Sequence, residues 1–231
     1  MFKTTANISE IFYSWQGEGI YLGQQQIFCR FAGCDLNCDY CDTSYAKKEG
    51  KELSLKQTLA KILQLNKASL CRTISITGGE PLLQTDFLQL LLPELKNKKF
   101  NLYLETNGVL AENLKRIINL CDVIAMDIKL PSACQDEFWP QHREFLLIGK
   151  KRKIFTKTVV TDKTTLNELR QAARLVKSID IEIPFVLQPV TKKDKIDAAN
   201  LRRTENFVFE LNKILPNIFL IPQQHKLWGV R

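Results

Sequence analysis

Short apolar runs alternate with amphipathic stretches along almost the whole chain, and this alternation limits the possible folds more than any other feature. The runs Gln26–Phe31, Thr73–Thr77, Phe100–Glu105, Val123–Asp127, Phe155–Val160, Pro184–Leu187 and Ile218–Ile221 are brief, rich in β-branched or aromatic residues, and often continuous. Continuity over so few residues predicts strands covered on both faces. Between them, Leu55, Leu59, Ile62 and Leu63 fall at i, i+4, i+7 and i+8, which is one stripe of a helix. Leu166, Leu169, Ala173 and Val176 make a second stripe behind a cap at Thr164 or Thr165. Pro81–Leu92 and Ala111–Leu120 also read as helices. The pattern predicts an α/β fold with a mainly parallel sheet and right-handed crossovers. In such sheets, open or barrel-like, chemistry collects at the carboxyl ends of the strands. The loop after Phe31, Thr77–Pro81, Glu105–Gly108, Asp127–Lys129 and Gln188–Pro189 all follow strand ends, so all are expected to face one site.

The length of 231 residues suits one large α/β domain or two small ones. No linker, repeat or low-complexity segment divides it, so a single domain over residues 1–231 is expected. No apolar run approaches the ~20 residues that span a bilayer. The opening MFKTTANISE lacks a basic region followed by a hydrophobic stretch. The expectation is a cytoplasmic protein with no membrane partner. The net charge of +8 suits RNA, an anionic small substrate or an acidic protein partner. Part of it lies in the runs Lys96–Lys99 and Lys192–Lys195, which read as solvated surface, and no RNA-binding motif is present, so no direct nucleic-acid contact is expected.

Cysteine placement is more informative than charge. Of seven cysteines, Cys34, Cys38 and Cys41 form C-x-x-x-C-x-x-C, while Cys29, Cys71, Cys121 and Cys134 are scattered. A disulfide framework belongs to small secreted domains, which this is not. Three thiolates this close wrap a cubic iron–sulfur cluster and leave its fourth iron open. The alternative is a closed zinc site, with a fourth ligand from His142, His225 or Cys134. Cys29, Cys71 and Cys121 sit in or beside apolar runs and read as buried small hydrophobes.

The motif C-x-x-x-C-x-x-C after a first strand, followed by T-G-G-E-P at Thr77–Pro81 after a second, resembles the radical S-adenosylmethionine superfamily. The resemblance implies a partial (β/α)6-type barrel with mainly parallel strands. It also implies a [4Fe-4S] cluster on Cys34, Cys38 and Cys41 whose open iron chelates the methionine end of S-adenosylmethionine. Gly78 and Gly79 would let the backbone approach the methionine amino group.

The longer stretch from Glu10 to Tyr45, E-I-F-Y-S-W-Q-G-E-G…R-F-A-G-C-D-L-N-C-D-Y-C-D-T-S-Y, resembles the 7-carboxy-7-deazaguanine synthase family. The likeness thins to motifs through E-T-N-G, the Lys157–Val160 strand, Q-P and the ending P-Q-Q-H-K-L-W-G. It implies that 6-carboxy-5,6,7,8-tetrahydropterin loses a hydrogen atom to a 5′-deoxyadenosyl radical, contracts its ring, and releases ammonia. By position, Trp15, Gln16, Gly17, Arg30 and Thr77 would contact the substrate, and Arg30 suits a carboxylate. Thr43 would ligate Mg2+, and Gly78, Gly79, Glu105, Asp127, Ile128 and Lys129 would face S-adenosylmethionine. Pro222–Arg231 would close over the substrate. A flavodoxin-like electron donor and a homodimer are further implications of the family.

Other readings attach to the same residues. Arg30 would otherwise pair a surface acid, Thr43 would cap a helix, and Gln16–Gly19 would be a tight turn. Asp35 and Asp39 read as solvated or turn-forming, His225 as a hydrogen-bonding partner, and Trp139 and Trp228 as packing. Asp127-Ile128-Lys129 stands where the synthase pattern more often has Ser-Pro-Lys, and resembles the glycyl-radical-enzyme activases instead. The Q-G-E-G loop and C-D-T after the cysteines match the synthase. A third reading, a zinc-stabilised basic module that binds RNA, leaves T-G-G-E-P, E-T-N-G and Asp127–Lys129 unexplained.

Overall fold

The computed structural model describes residues 4–192 and 195–230. Part of the Lys192–Lys195 run, the first three residues and Arg231 thus lie outside the described residues. In chain order the elements are β1 (Thr5–Trp15), β2 (Gln25–Phe31), β3 (Lys51–Ser54), α1 (Leu55–Ser69), β4 (Thr73–Gly78), α2 (Thr85–Asn97), β5 (Asn101–Thr106), α3 (Ala111–Lys115), β6 (Val123–Asp127), α4 (Pro131–Cys134), α5 (Trp139–Gly149) and β7 (Lys153–Val160). There follow α6 (Leu166–Ile179), β8 (Phe185–Pro189), a small ladder of β9 (Thr191–Lys192) and β10 (Lys195–Ile196), α7 (Ala198–Leu211), β11 (Ile218–Leu220) and α8 (Gln224–Trp228).

The main sheet has nine strands in the order β11-β8-β7-β6-β5-β4-β2-β1-β3. From β2 through β4–β8 to β11 all neighbours pair in parallel, as the sequence predicts. The ends of the order do not pair, so the barrel is partial. Every strand read from the sequence belongs to this parallel set. Missing from that reading are β1 and β3, which add an antiparallel edge. The register of β1 shifts between Ile8 and Glu10, which breaks the alternation that marks a half-buried strand.

Local sequence explains the helix starts. Ser54 with Gln57, and Thr165 with Glu168, form capping boxes ahead of α1 and α6. Thr165 is thus the cap of α6, while the Thr164 hydroxyl accepts from the Thr161 amide at 2.9 Å. Two expected helices differ in extent. Pro81–Gln84 is a 3-10 turn, and α2 runs through Pro93 to Asn97 because Leu91, Leu92 and Leu95 continue its buried stripe. The Ala111–Leu120 segment breaks into α3 and a 3-10 turn at Ile118–Leu120.

One face of the sheet packs on the helices through a large core that includes Ile27, Ile74, Leu102, Ile124 and Phe185. On the opposite face Tyr103, Ala125, Phe155 and Val186 form a small apolar plug under Tyr21. Two residues on along each strand, the same face turns polar: Glu105 on β5, Asp127 on β6, Lys157 on β7 and Gln188 on β8. The period of two therefore builds an apolar floor with charged groups at the carboxyl ends. Among the described residues no helix is long and apolar enough to cross a membrane.

Candidate active site

A cavity of about 450 Å³ opens at the carboxyl ends of the parallel strands. Cys34, Cys38, Cys41, Thr43, Arg30, Thr77–Gly79, Glu105, Asp127 and Lys129 line it, with Trp15–Gly17 on the other side. Sequence-predicted site residues thus converge on one cavity. Ile128 is the exception: it is fully buried in the helix-side core, and its backbone N–H donates to Lys157 O at 2.7 Å.

The Gly-Gly pair has a steric role in joining the two motifs. A Cβ on Gly78 would stand 2.1 Å from Phe31 O, and one on Gly79 would stand 2.1 Å from Gly33 O and 2.9 Å from Cys34 Cβ. The glycines let β4 and its turn press against the start of the cysteine loop. Two backbone bonds seal the contact, Gly79 N–H to Phe31 O at 3.1 Å and Glu80 N–H to Gly33 O at 2.8 Å. Glu80 is buried and accepts from the amides of Leu82 and Asn107 and from the Thr106 hydroxyl. Burial outweighs those bonds and raises its carboxyl to about 7.

On the cavity floor, Asp127 and Lys157 are register partners across β6 and β7. Asp127 Oδ2 receives Lys129 at 2.8 Å and Lys157 at 3.4 Å, and Lys157 also meets Glu18 at 2.6 Å. Burial favours the neutral lysine, but the carboxylates of Glu18 and Asp127 outweigh it and hold Lys157 charged. Burial likewise pushes Glu18 up, yet Lys157 and the Gln223 hydrogen bond keep it well below the usual carboxylate range. Lys129 donates to the Tyr40 hydroxyl at 3.1 Å, which ties the Asp127–Lys129 segment to the cysteine loop.

Glu105 is held by three donors: Gln16 at 2.7 Å, Thr77 at 2.9 Å and Ser75 at 3.2 Å. Arg30 sits beside Thr77 in register and opposite Glu10, with its Nε 3.1 Å from the Glu10 carboxylate. Its guanidinium lies over the rings of Phe12 and Tyr45. The acid that Arg30 pairs therefore belongs to the cavity wall. Thr43 precedes a 3-10 turn without a side-chain cap bond, so its hydroxyl is not engaged in capping.

The carboxyl-terminal segment closes one side. Gln223 donates to Glu18 at 2.8 Å and to Asp42 at 3.0 Å, and Lys226 pairs with Asp42 at 3.0 Å. His225 stands 4.0 Å from both acids, and a Cβ on Gly17 would strike its side chain at 2.4 Å. Glu18, Asp42 and His225 form a group with metal-ligand chemistry, but Lys157 and Lys226 already neutralise its two acids. Trp139 packs on the core as expected, whereas Trp228 is 47% exposed and does not serve as core.

Several participants escape a linear reading. Lys157 is a charged residue inside a buried strand, a signal that was available. His142 is fully buried, accepting from Lys129 N–H on Nε2 at 3.0 Å and standing 3.0 Å from Gly108 O through Nδ1. Burial lowers it to about 4, so it is neutral and braces the loops after β5 and β6. Asp35 and Asp39 are exposed, as expected; Asp35 also accepts from Asn107 at 2.8 Å, and Asp39 pairs with Lys163.

The donor set fits an iron–sulfur cluster with one site left for a ligand. Three partly exposed cysteines face the cavity, and beside them the buried Asp127 Oδ1 and both amide atoms of Gln188 have no hydrogen-bond partner among the described residues. Fold and site together define a radical S-adenosylmethionine enzyme. The Radical SAM superfamily model matches residues 29–135, a family whose members carry a [4Fe-4S] cluster and S-adenosylmethionine.

The particular family follows from full-length relatives. The 7-carboxy-7-deazaguanine synthase of Geobacter sulfurreducens is 38% identical over 99% of both chains. That of Archaeoglobus fulgidus is 34% identical over 98% of this chain and 99% of its own. The crystal structure of QueE from Escherichia coli has the same fold, with a TM-score of 0.68, 21% identity and 96% of each chain covered. The chain belongs to the 7-carboxy-7-deazaguanine synthase family. The activase and zinc-module readings are thereby set aside, and Asp127-Ile128-Lys129 is a variation within the family.

Proposed function

We propose that the protein converts 6-carboxy-5,6,7,8-tetrahydropterin to 7-carboxy-7-deazaguanine by radical ring contraction with loss of ammonia, on the route to 7-deazapurines such as queuosine. The observation that carries this reading is the convergence of the cysteine loop, the Gly-Gly turn and the Q-G-E-G loop on one cavity. When bound through Cys34, Cys38 and Cys41, a reduced [4Fe-4S] cluster supplies cleavage of S-adenosylmethionine to a hydrogen-abstracting radical.

The chain's own residues bind, orient and shield. Gly78 and Gly79 keep the cofactor side free of side chains, while Glu105, Asp127 and Lys129 present fixed charges to it. Trp15, Gln16, Gly17 and Thr77 hold the bicyclic ring, and Arg30 takes the carboxylate. Thr43 would hold Mg2+ through its hydroxyl, and this hard cation would supply positive charge for the substrate's carboxylate. The lysines neutralise charge that develops on the substrate, and the carboxyl-terminal segment excludes water. The working form is a single-domain cytoplasmic enzyme, homodimeric, reduced by a flavodoxin-like donor.

The test is an anaerobic assay of reduced enzyme with S-adenosylmethionine, Mg2+ and the carboxytetrahydropterin, read by mass spectrometry. Substrate-dependent 5′-deoxyadenosine together with the deazapurine supports the reading. Deoxyadenosine without deazapurine refutes the substrate, and neither product from an iron-loaded enzyme refutes the chemistry.

A further inference from the structure

Cys134 has no part in the chemistry above, yet its sulfur lies 3.1 Å from that of Cys38, a cluster-ligating position 96 residues earlier. The other two cysteines of the loop are placed differently. Cys34 Sγ contacts Asp35 Oδ1 at 3.9 Å, and Cys41 Sγ contacts Thr43 Oγ1 at 3.9 Å. The close approach is held from both sides. Asp39 N–H donates to Ala133 O at 3.0 Å, Lys129 reaches Tyr40 at 3.1 Å, and Cys134 N–H donates to Leu130 O at 3.2 Å. One backbone bond between the residues next to each cysteine, with the Lys129–Tyr40 bond beside it, thus docks the loop on α4. A disulfide bond of about 2.05 Å needs the two sulfurs to approach by about 1 Å, within reach of side-chain rotation.

We propose that Cys38 and Cys134 form a reversible disulfide in the cluster-free protein, a modification site that withholds one ligand from the cluster. The oxidant is a low-molecular-weight disulfide. Cys38, the more exposed of the pair, loses its proton and attacks one oxidant sulfur, forming a mixed disulfide and releasing one small thiol. Cys134 then loses its proton and attacks the Cys38 sulfur, closing the protein disulfide and releasing the second thiol. Two protein thiols are oxidised by two electrons and one small disulfide is reduced to two thiols. The bond keeps Cys38 off the irreversible branch of sulfur oxidation and is undone by thiol reductants before cluster assembly. The pairing rests on the geometry alone; its effect on loading rests on the cluster assignment.

The experiment uses the full chain, stripped of iron with a chelator without oxygen, treated with oxidised glutathione, alkylated and digested for mass spectrometry. The expected result is a Cys38–Cys134 linked peptide pair, loss of alkylation at both positions, and recovery of both after reduction. In Cys134→Ser, the linked pair is lost and glutathione stays on Cys38. A wild-type chain in which Cys134 remains fully alkylatable, or in which Cys38 pairs with Cys34 or Cys41, overturns the inference. Iron uptake by the reduced chain is measured in parallel. Its absence would refute the cluster assignment, while a missing cross-link refutes only the pairing.

Discussion

Lys157 of β7 reaches back to Glu18 at 2.6 Å, so a strand in the middle of the sheet holds the loop that follows β1, 139 residues earlier. The same ammonium lies 3.4 Å from Asp127, its register partner. One lysine therefore joins the Q-G-E-G loop to the Asp127–Lys129 segment at the end of β6.

Replacing Lys157 with Met should leave the half-buried Glu18 without its nearest cation. Breaking a fully buried pair from one side costs about 3–5 kcal/mol and an exposed pair about 0–1, and a loss between the two is expected in denaturant unfolding. The double change Lys157→Met with Glu18→Gln should recover part of it, because Asp127 keeps Lys129. Strict additivity of the two single changes would rule out the coupling.

Gly79→Ala should disturb the cysteine loop, because its Cβ would press on Gly33 O and Cys34. Overpacking of this kind costs about 1–3 kcal/mol. Reduced iron content after reconstitution, with the folded state retained by circular dichroism, is the expected outcome. Unchanged iron loading would separate the glycine from the cluster loop.

Thr43→Ala should shift the magnesium activation curve to higher concentration, since the hydroxyl makes no capping bond that would otherwise explain it. Iron content should stay at the wild-type level. A magnesium titration that superimposes on wild type would remove Thr43 from the metal site.

Glu80 should make the fold lose stability as pH rises. Its carboxyl is raised from 4.5 to about 7, so its contribution is complete below about 4.5 and is lost through pH 7. The difference corresponds to about 3 kcal/mol at most. Glu80→Gln should flatten this slope, as seen in unfolding midpoints across the range.

His142 should act in the opposite direction. Its value falls from 6.5 to about 4, so its contribution is complete above 6.5 and is lost as pH drops through 4. His142→Gln should show a shallower acid-side decline than wild type in the same unfolding series. An identical acid limb would mean that the imidazole does not have to take up a proton on unfolding.

Periodicity alone determined the parallel sheet, because each strand of that set is a short run whose residues are covered on both faces. The capping boxes at Ser54 and Thr165 were equally local, written within four residues of each helix start. Motif spacing likewise brought Cys34, Cys38, Cys41 and the Gly-Gly turn to one end of the sheet, since both follow parallel strands. Strand β1 stayed hidden because its register shift at Ile8–Glu10 erases the period of two. Pairings between distant residues were beyond any local pattern. Lys157 with Glu18 and Asp127, Gln223 with Asp42, and Cys38 with Cys134 exist because strand order and register bring them together. A linear sequence records which side chains are available. Which of them share a low-dielectric cavity, and so which charges must be paired, is decided only when the sheet is assembled.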